Sequence, residues 1–217
     1  MTYEEFLALP ENHNNMIYEW INGQVVKMAR PNPRHAEVCG NLNTILKLYL
    51  YGKKCKVYFE IDVQFGEDEN HNLSCVAPDL CIICEADEPL AQPYIGVPDL
   101  CIEILSKNKG NDLIKKRKLY LENGVREYWI VDPLHRYIWV NILKYNSEGK
   151  GYYDEHIYEE DIFHSTLFPD LLIDLRIVFD DGSLAYNEFL KYKLKNVLKL
   201  TKEELLKLLE EYDNDNQ

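Results

Sequence analysis

Residues 97–133, VPDLCIEILSKNKGNDLIKKRKLYLENGVREYWIVDP, narrow the fold more than any other part of the chain. They read as strand, polar loop, helix, strand. The apolar run ending at Ile104 and the run from Glu127 flank a helical pattern that carries Lys115, Lys116, Arg117 and Lys118. That length and pattern specify a β-α-β crossover, whose two strands lie parallel and adjacent in one sheet. A carboxylate, Glu103, stands inside the first apolar run. An acid in a buried strand is costly unless it is paired or holds a cation. Some other segment must therefore bring it a partner.

At 217 residues and 46% hydrophobic, the chain suits one main domain able to build its core without disulfides or structural metal. It has no apolar run of the ~18 residues that a spanning helix needs, so no membrane partner is expected. The start, MTYEEFLALPENH, lacks the basic and apolar segments of a secretory signal, and the expected location is the cytoplasm. Six cysteines lie mostly among apolar neighbours, as small buried residues do in reducing cells. Cys81 and Cys84 have CxxC spacing, but strand residues three apart point to opposite faces. Core packing is therefore expected of them, not zinc or redox chemistry. A net charge of −13 argues against a protein that coats nucleic acid indiscriminately. Residues 201–217 hold six acids against two lysines and account for −4 of it, leaving −9 elsewhere. Any site for a polyanion must be local.

Taken in order, Thr2 and Glu5 form a capping box for a short helix through residue 9. Residues 16–21 and 24–28 alternate around Asn22-Gly23, a two-residue hairpin turn. A loop with Pro31 and Pro33 leads into a helix over 35–51, with Val38, Leu42, Ile45, Leu46 and Tyr49 on one face. Strand-like runs follow at 55–63 and 73–84, and Pro78 in the second implies an edge position or a bulge. A second hairpin spans 137–145 and 152–158. Helices are expected at 186–198 and 201–211, before a disordered DNDNQ tip. The fold class is mixed α/β, with a domain over 1–180 and a C-terminal helical extension over 181–217.

Glu103 lies near the C-terminal end of its strand. Lys116 lies about one turn into the following helix, roughly 6 Å from its start at 1.5 Å per residue, so both reach the same sheet edge. Two Pro-Asp dipeptides compete to partner Glu103. Asp99 shares its strand and face, but four strand residues separate them by roughly 13 Å, too far to share an ion. Asp79 is on another strand and follows a proline that interrupts regular pairing, an irregularity that often aims side chains at a site. Asp79 is the preferred partner, and Asp99 reads as a turn residue where its strand begins. Two carboxylates with a backbone carbonyl and water are ligands that suit Mg²⁺. Such an ion activates water and stabilises charge on a phosphodiester, and a lysine beside it positions the water or offsets that charge. A plain buried acid–lysine pair is the other reading the residues leave open.

Asp79, Glu103 in its apolar strand and the nearby lysine resemble the PD-(D/E)xK nuclease superfamily. The joint pattern resembles one branch, the Uma-type putative restriction endonuclease family. It includes Tyr18-Glu19-Trp20-Ile21-Asn22-Gly23, the proline loop with His35, Ala77-Pro78-Asp79 and Pro98 to Ser106. It continues through Asp112, Lys116, Tyr120, Gly124-Val125 and Glu127 to Pro133, and spans roughly residues 2–180. The resemblance implies a restriction-endonuclease-like mixed β-sheet flanked by helices and a Mg²⁺-dependent endonuclease, with Mn²⁺ as a substitute, that hydrolyses DNA as a homodimer. It implies Asp79, Glu103 and Lys116 as catalytic residues. The metal ligands would be Asp79, Glu103 and the Ile104 backbone carbonyl, with Glu19 as a further acid. One departure stands out: the superfamily's lysine follows its glutamate by two residues, where this chain has Leu105. Lys116 falls where this branch places it, with Lys115 and Lys118 as substitutes.

Other residues read as follows. Glu19 points away from the face of Tyr18 and Trp20, either into the site or onto the surface. His35 opens a helix, where it contacts a phosphate of the substrate or caps the helix. Tyr120 reads as core packing. The remaining histidines, His13, His71, His135, His156 and His164, sit in polar contexts and support neither a triad nor a zinc site. Two other functions compete: a catalytically idle nuclease fold used for binding, and a metallohydrolase of small phosphate esters.

Overall fold

Local chemistry starts each element. Thr2 Oγ1 accepts from the Glu5 amide while the Glu5 carboxylate takes the Thr2 N–H, which opens α1 (Tyr3–Leu7). Strands β1 (Met16–Ile21) and β2 (Gln24–Ala29) turn at Asn22 and Gly23, both with positive φ, 48° and 78°. The Asn32 side chain accepts from the His35 amide and Pro33 is the first residue of α2 (Pro33–Leu50). Then follow β3 (Cys55–Phe59), β4 (Val63–Phe65), β5 (Ser74–Val76), β6 (Leu80–Cys84), β7 (Tyr94–Ile95) and β8 (Leu100–Ile104). Helix α3 (Gly110–Glu122) leads to β9 (Glu127–Asp132), the hairpin β10 (Tyr137–Tyr145) and β11 (Gly151–Tyr158), β12 (Ile162–His164), β13 (Leu172–Asp174) and α4 (Leu175–Val178). The computed structural model describes residues 2–8, 16–29, 31–66, 73–84, 90–106, 110–159 and 162–182. The C-terminal helices and tail expected from the sequence lie outside the described residues.

The strands form a six-stranded sheet, β11-β10-β9-β8-β6-β3, a five-stranded sheet, β2-β1-β5-β4-β7, and the pair β12-β13. As the crossover requires, β8 and β9 run parallel on either side of α3 in the chain, from Leu100 opposite Glu127 to Ile104 opposite Val131. Alternation along β8 sends Leu100, Ile102 and Ile104 to one face, packed with Val38, Leu42 and Leu46 of α2. Cys101 faces the other side, where Leu119 and Tyr120 of α3 meet Ile21, Val63 and Phe65 of the five-stranded sheet. Glu103 follows Cys101 by two residues and so points to that second face.

The structure departs from the sequence reading at Pro78. The proline lies neither on a sheet edge nor in a bulge, but at a break where the chain leaves one sheet for the other. The runs at 55–63 and 73–84 both split: β3 pairs with β6 in the large sheet, and β4 pairs with β5 in the smaller one. The cause is local. Continuing the β6–β8 register, in which Leu80 faces Ile102, brings position 78 opposite Ile104, and proline has no amide hydrogen to give that carbonyl. The ladder stops, and the Ile104 amide donates instead to Asp79 Oδ2 at 2.6 Å. Helix α3 begins before Asp112, at Gly110, so Lys116 lies deeper in it than one turn.

A second departure concerns cysteine. Cys55 and Cys84 form a disulfide, although the chain was expected to do without one and Cys84 was assigned to packing. They sit directly opposite each other on β3 and β6 with Cα atoms 3.9 Å apart, a proximity that only strand pairing creates. Cys39, Cys75, Cys81 and Cys101 are buried free thiols, and burial pushes the Cys81 thiol up to about 12. Thiol titration of the denatured protein should count four groups before reduction and six after. Joining residues 29 apart should stabilise the fold by about 3–4 kcal/mol, measured as the loss of urea stability in Cys55→Ala/Cys84→Ala.

Candidate active site

Beyond the C-terminal half of β8, side chains from four elements converge. Lys116 and Tyr120 are one turn apart on α3 and both reach the same oxygen of Glu103. The Lys116 ammonium lies 2.8 Å from Glu103 Oε1, and the Tyr120 hydroxyl donates to that oxygen at 2.8 Å. The ammonium also lies 2.7 Å from Glu19 Oε1. Strand alternation in β1 supplies Glu19: Trp20 turns the other way, into a cluster with Tyr3, Leu73 and Cys75. Glu19 Oε1 further accepts from the Ala77 amide at 3.1 Å, which fastens β1 to the break before β6.

Asp79 forms the second half of the site. Its Oδ2 accepts the Ile104 amide and lies 3.1 Å from His35 Nε2 near the start of α2. Ile104 adjoins Glu103, so this bond couples the two halves through the backbone. Glu19, His35, Asp79, Glu103 and Lys116 are between 1% and 7% exposed, a group of polar and charged side chains withdrawn from water. The structure brings Glu19, Glu103 and Lys116 into direct contact and joins Asp79 and His35 to them through the Ile104 amide.

The electrostatics follow from that burial. Burial alone pushes the Lys116 ammonium down, but the charges and hydrogen bonds of Glu103 and Glu19 outweigh it and hold the group above its usual 10.5. The ammonium stays charged, and two carboxylates share it. Burial pushes the Tyr120 phenol well above its usual value, and Glu103 adds to the shift, so the hydroxyl remains a donor. Two polar atoms here are buried without a hydrogen-bond partner, Glu19 Oε2 and His35 Nδ1. Such atoms are rare in folded proteins, and each calls for an explanation in water, an ion or a chemical role.

Among the described residues no three His, Cys, Asp or Glu side chains form a ready-made metal cage. Mg²⁺ does not require one, since it is typically bound through one or two carboxylates with water and substrate oxygens. Asp79 and Glu103 would supply the carboxylates, with the Ile104 carbonyl beyond the last paired residues of β6 and β8. The buried Glu19 Oε2 adds an oxygen that lacks a partner. This donor set, all oxygen and net negative, fits a hard divalent cation.

Other candidates fall outside the cluster. Asp99 accepts from the Cys84 amide at 2.8 Å and pairs with Arg126, which fits a residue fixing the start of β8. Lys115 and Lys118 point to solvent, the latter toward Glu122, and Arg117 is held by Asn141 and Glu155. His135 and His156 pair with Asp132 and Asp154, and His164 lies against the Pro169 carbonyl. His13 and His71 lie outside the described residues. Tyr120 does pack in the core, with ring centroids 5.8 Å from Phe65 and 4.9 Å from Tyr128. Its bond to Glu103 was missed, although the four-residue spacing from Lys116 placed both on one helix face.

The mixed sheets, the crossover helix and the cluster at the end of β8 define a restriction-endonuclease-like nuclease fold. The sequence pattern of the family described as "Uma2: Putative restriction endonuclease" matches residues 3–176. The chain belongs to that family. A solved structure from Anabaena variabilis ATCC 29413, titled a putative nuclease belonging to DUF820, is similar with a TM-score of 0.64 at 19% sequence identity. The similarity covers 82% of this chain and 97% of that one, and it bears on the fold alone. No curated protein matches. No described helix is long and apolar enough to cross a membrane.

Removing Lys116 leaves two buried carboxylates without their shared cation, so Lys116→Met should cost roughly 3–5 kcal/mol in urea unfolding at neutral pH. The sign with pH follows from the raised value. The contribution is complete below the usual lysine value of 10.5 and declines as the pH rises through the higher folded value. Wild-type stability should therefore fall toward that of Lys116→Met at alkaline pH. Tyr120→Phe should cost about 1.5–3 kcal/mol, the worth of a hydrogen bond to a charged group.

Proposed function

We propose that the protein is a Mg²⁺-dependent endonuclease that hydrolyses DNA phosphodiester bonds, with Mn²⁺ as a substitute ion. One observation carries the reading: Lys116 is buried between Glu19 and Glu103, Asp79 is bonded to the amide of the residue after Glu103, and Glu19 keeps an unpartnered oxygen. Family membership supports the same reaction class. Asp79, Glu103 and the Ile104 carbonyl would hold the ion, with Glu19 as a further acid. When bound, the ion would supply a lowered pKa for water and charge stabilisation at the phosphate.

The chain's own residues supply the rest. An ammonium has three donors, and Glu19 and Glu103 take two from Lys116. The third can orient a water for in-line attack on phosphorus. Tyr120 holds Glu103 Oε1, which restricts the rotation of that carboxylate. His35 holds Asp79 through Nε2 and its Nδ1 has no partner, so a phosphate contact there requires both ring nitrogens to carry protons. The exposed Lys115 and Lys118 can receive the nucleic-acid backbone on α3. Their number is smaller than the sequence suggests, because Lys116 and Arg117 are already engaged within the fold. Cleavage of both strands would place one such site on each strand, and a homodimer is the assembly we propose.

Plasmid DNA incubated with the protein and Mg²⁺ should be nicked or linearised, and chelation should stop the reaction. Asp79→Asn, Glu103→Gln and Lys116→Ala should each lower the rate by roughly 10²–10³-fold or more. Wild-type protein that leaves DNA intact under these conditions, yet binds it, would support the idle binding fold instead. Turnover of small phosphate esters without DNA binding would support the small-molecule hydrolase.

A further inference from the structure

The place between Glu19 and Glu103 already contains a cation, and it belongs to the chain. The Lys116 ammonium is within 2.8 Å of a carboxylate oxygen on both sides and only 2% exposed. Glu103 Oε1 receives two donors, Lys116 and Tyr120. A divalent ion approaching these carboxylates would meet a fixed positive charge with little water to screen it. The lysine has the means to withdraw, since its ammonium ends a flexible four-carbon stem. Tyr120 has none comparable, because its ring is wedged against Phe65 and Tyr128.

We infer that Lys116 is the site's resident cation: its ammonium occupies the place between Glu19 and Glu103 in the metal-free protein and yields it when a divalent ion enters. The inference rests on the metal site proposed above and adds a coupling to it. Two cations that compete for one pair of carboxylates must weaken each other's hold by the same factor. In the empty site the lysine is sequestered between two acids and keeps two buried negative charges compensated. In the loaded site it is released toward the reacting water. Entry of the ion thus frees further donors of the residue that orients the water.

Mn²⁺ binding by the full-length protein tests this directly, with calorimetry on wild type, Lys116→Met, Lys116→Gln and Asp79→Asn. The two neutral lysine variants should bind Mn²⁺ about tenfold more tightly than wild type or better, and Asp79→Asn more weakly. Lysine variants that bind no tighter than wild type, with Asp79→Asn still weakened, would overturn the resident-cation role and leave the metal site standing. Wild type and Asp79→Asn titrating alike would overturn the metal site, and the inference with it. A second measurement needs no variant: acylation of Lys116 in the folded wild type, followed by peptide mass spectrometry. Mn²⁺ should accelerate it several-fold while leaving the exposed Lys115 and Lys118 unchanged, and an unchanged rate at Lys116 would overturn the exchange.

Discussion

An ammonium shared by two buried carboxylates ties together three parts of the chain that are distant in sequence. Lys116 comes from α3, Glu103 from the large sheet and Glu19 from the small sheet. None of these charges could be buried alone, because an isolated ion in a low-dielectric interior is too costly. Each element is therefore held in register by the others' need for a counter-charge. The same arrangement concentrates negative charge in one place, which is what a cation-dependent site requires. Structural constraint and the proposed chemistry rest here on the same atoms.

The break at Pro78 plays a matching part. Regular pairing would have carried β6 straight past Ile104 and spent the Ile104 amide on a neighbouring backbone carbonyl. Proline ends the ladder, and the amide turns to the Asp79 side chain instead. Asp79 is thereby anchored beside Glu103, with His35 on its other flank. Ala77, two residues before, donates to Glu19 and links the same break to the small sheet. A single residue without an amide hydrogen thus separates the two sheets and aims the acid that lies between them.

The legibility of this site in the sequence varied with the kind of interaction. Glu103 was conspicuous because an acid in an apolar run violates the pattern around it. Helix geometry brought Lys116 to the sheet edge of Glu103, whereas strand alternation left Glu19 between site and surface and only the family resemblance favoured the site. The disulfide was not legible, because Cys55 and Cys84 become neighbours only through pairing of β3 with β6. The Tyr120 hydroxyl leaves no trace in the sequence, because its ring suits a core position whether or not the polar end has a partner. Of the basic run on α3, Lys115 and Lys118 are exposed, while Lys116 turns inward and Arg117 is engaged by Glu155.

The sequence by itself determined α1, the hairpins β1–β2 and β10–β11, helix α2 and the crossover between β8 and β9. These depend on local periodicity, turn chemistry and the chirality of the polypeptide, all written over a few tens of residues. Only the tertiary structure decided that the strand run at Pro78 breaks into two sheets, that Cys55 meets Cys84, and that one ammonium serves Glu19 and Glu103 together. Those outcomes depend on which segments share a register and how far the chain must fold to bring them there. Contacts between residues far apart in the chain leave no periodic trace along it. Their geometry arises when opposite charges must find each other inside a core that excludes water.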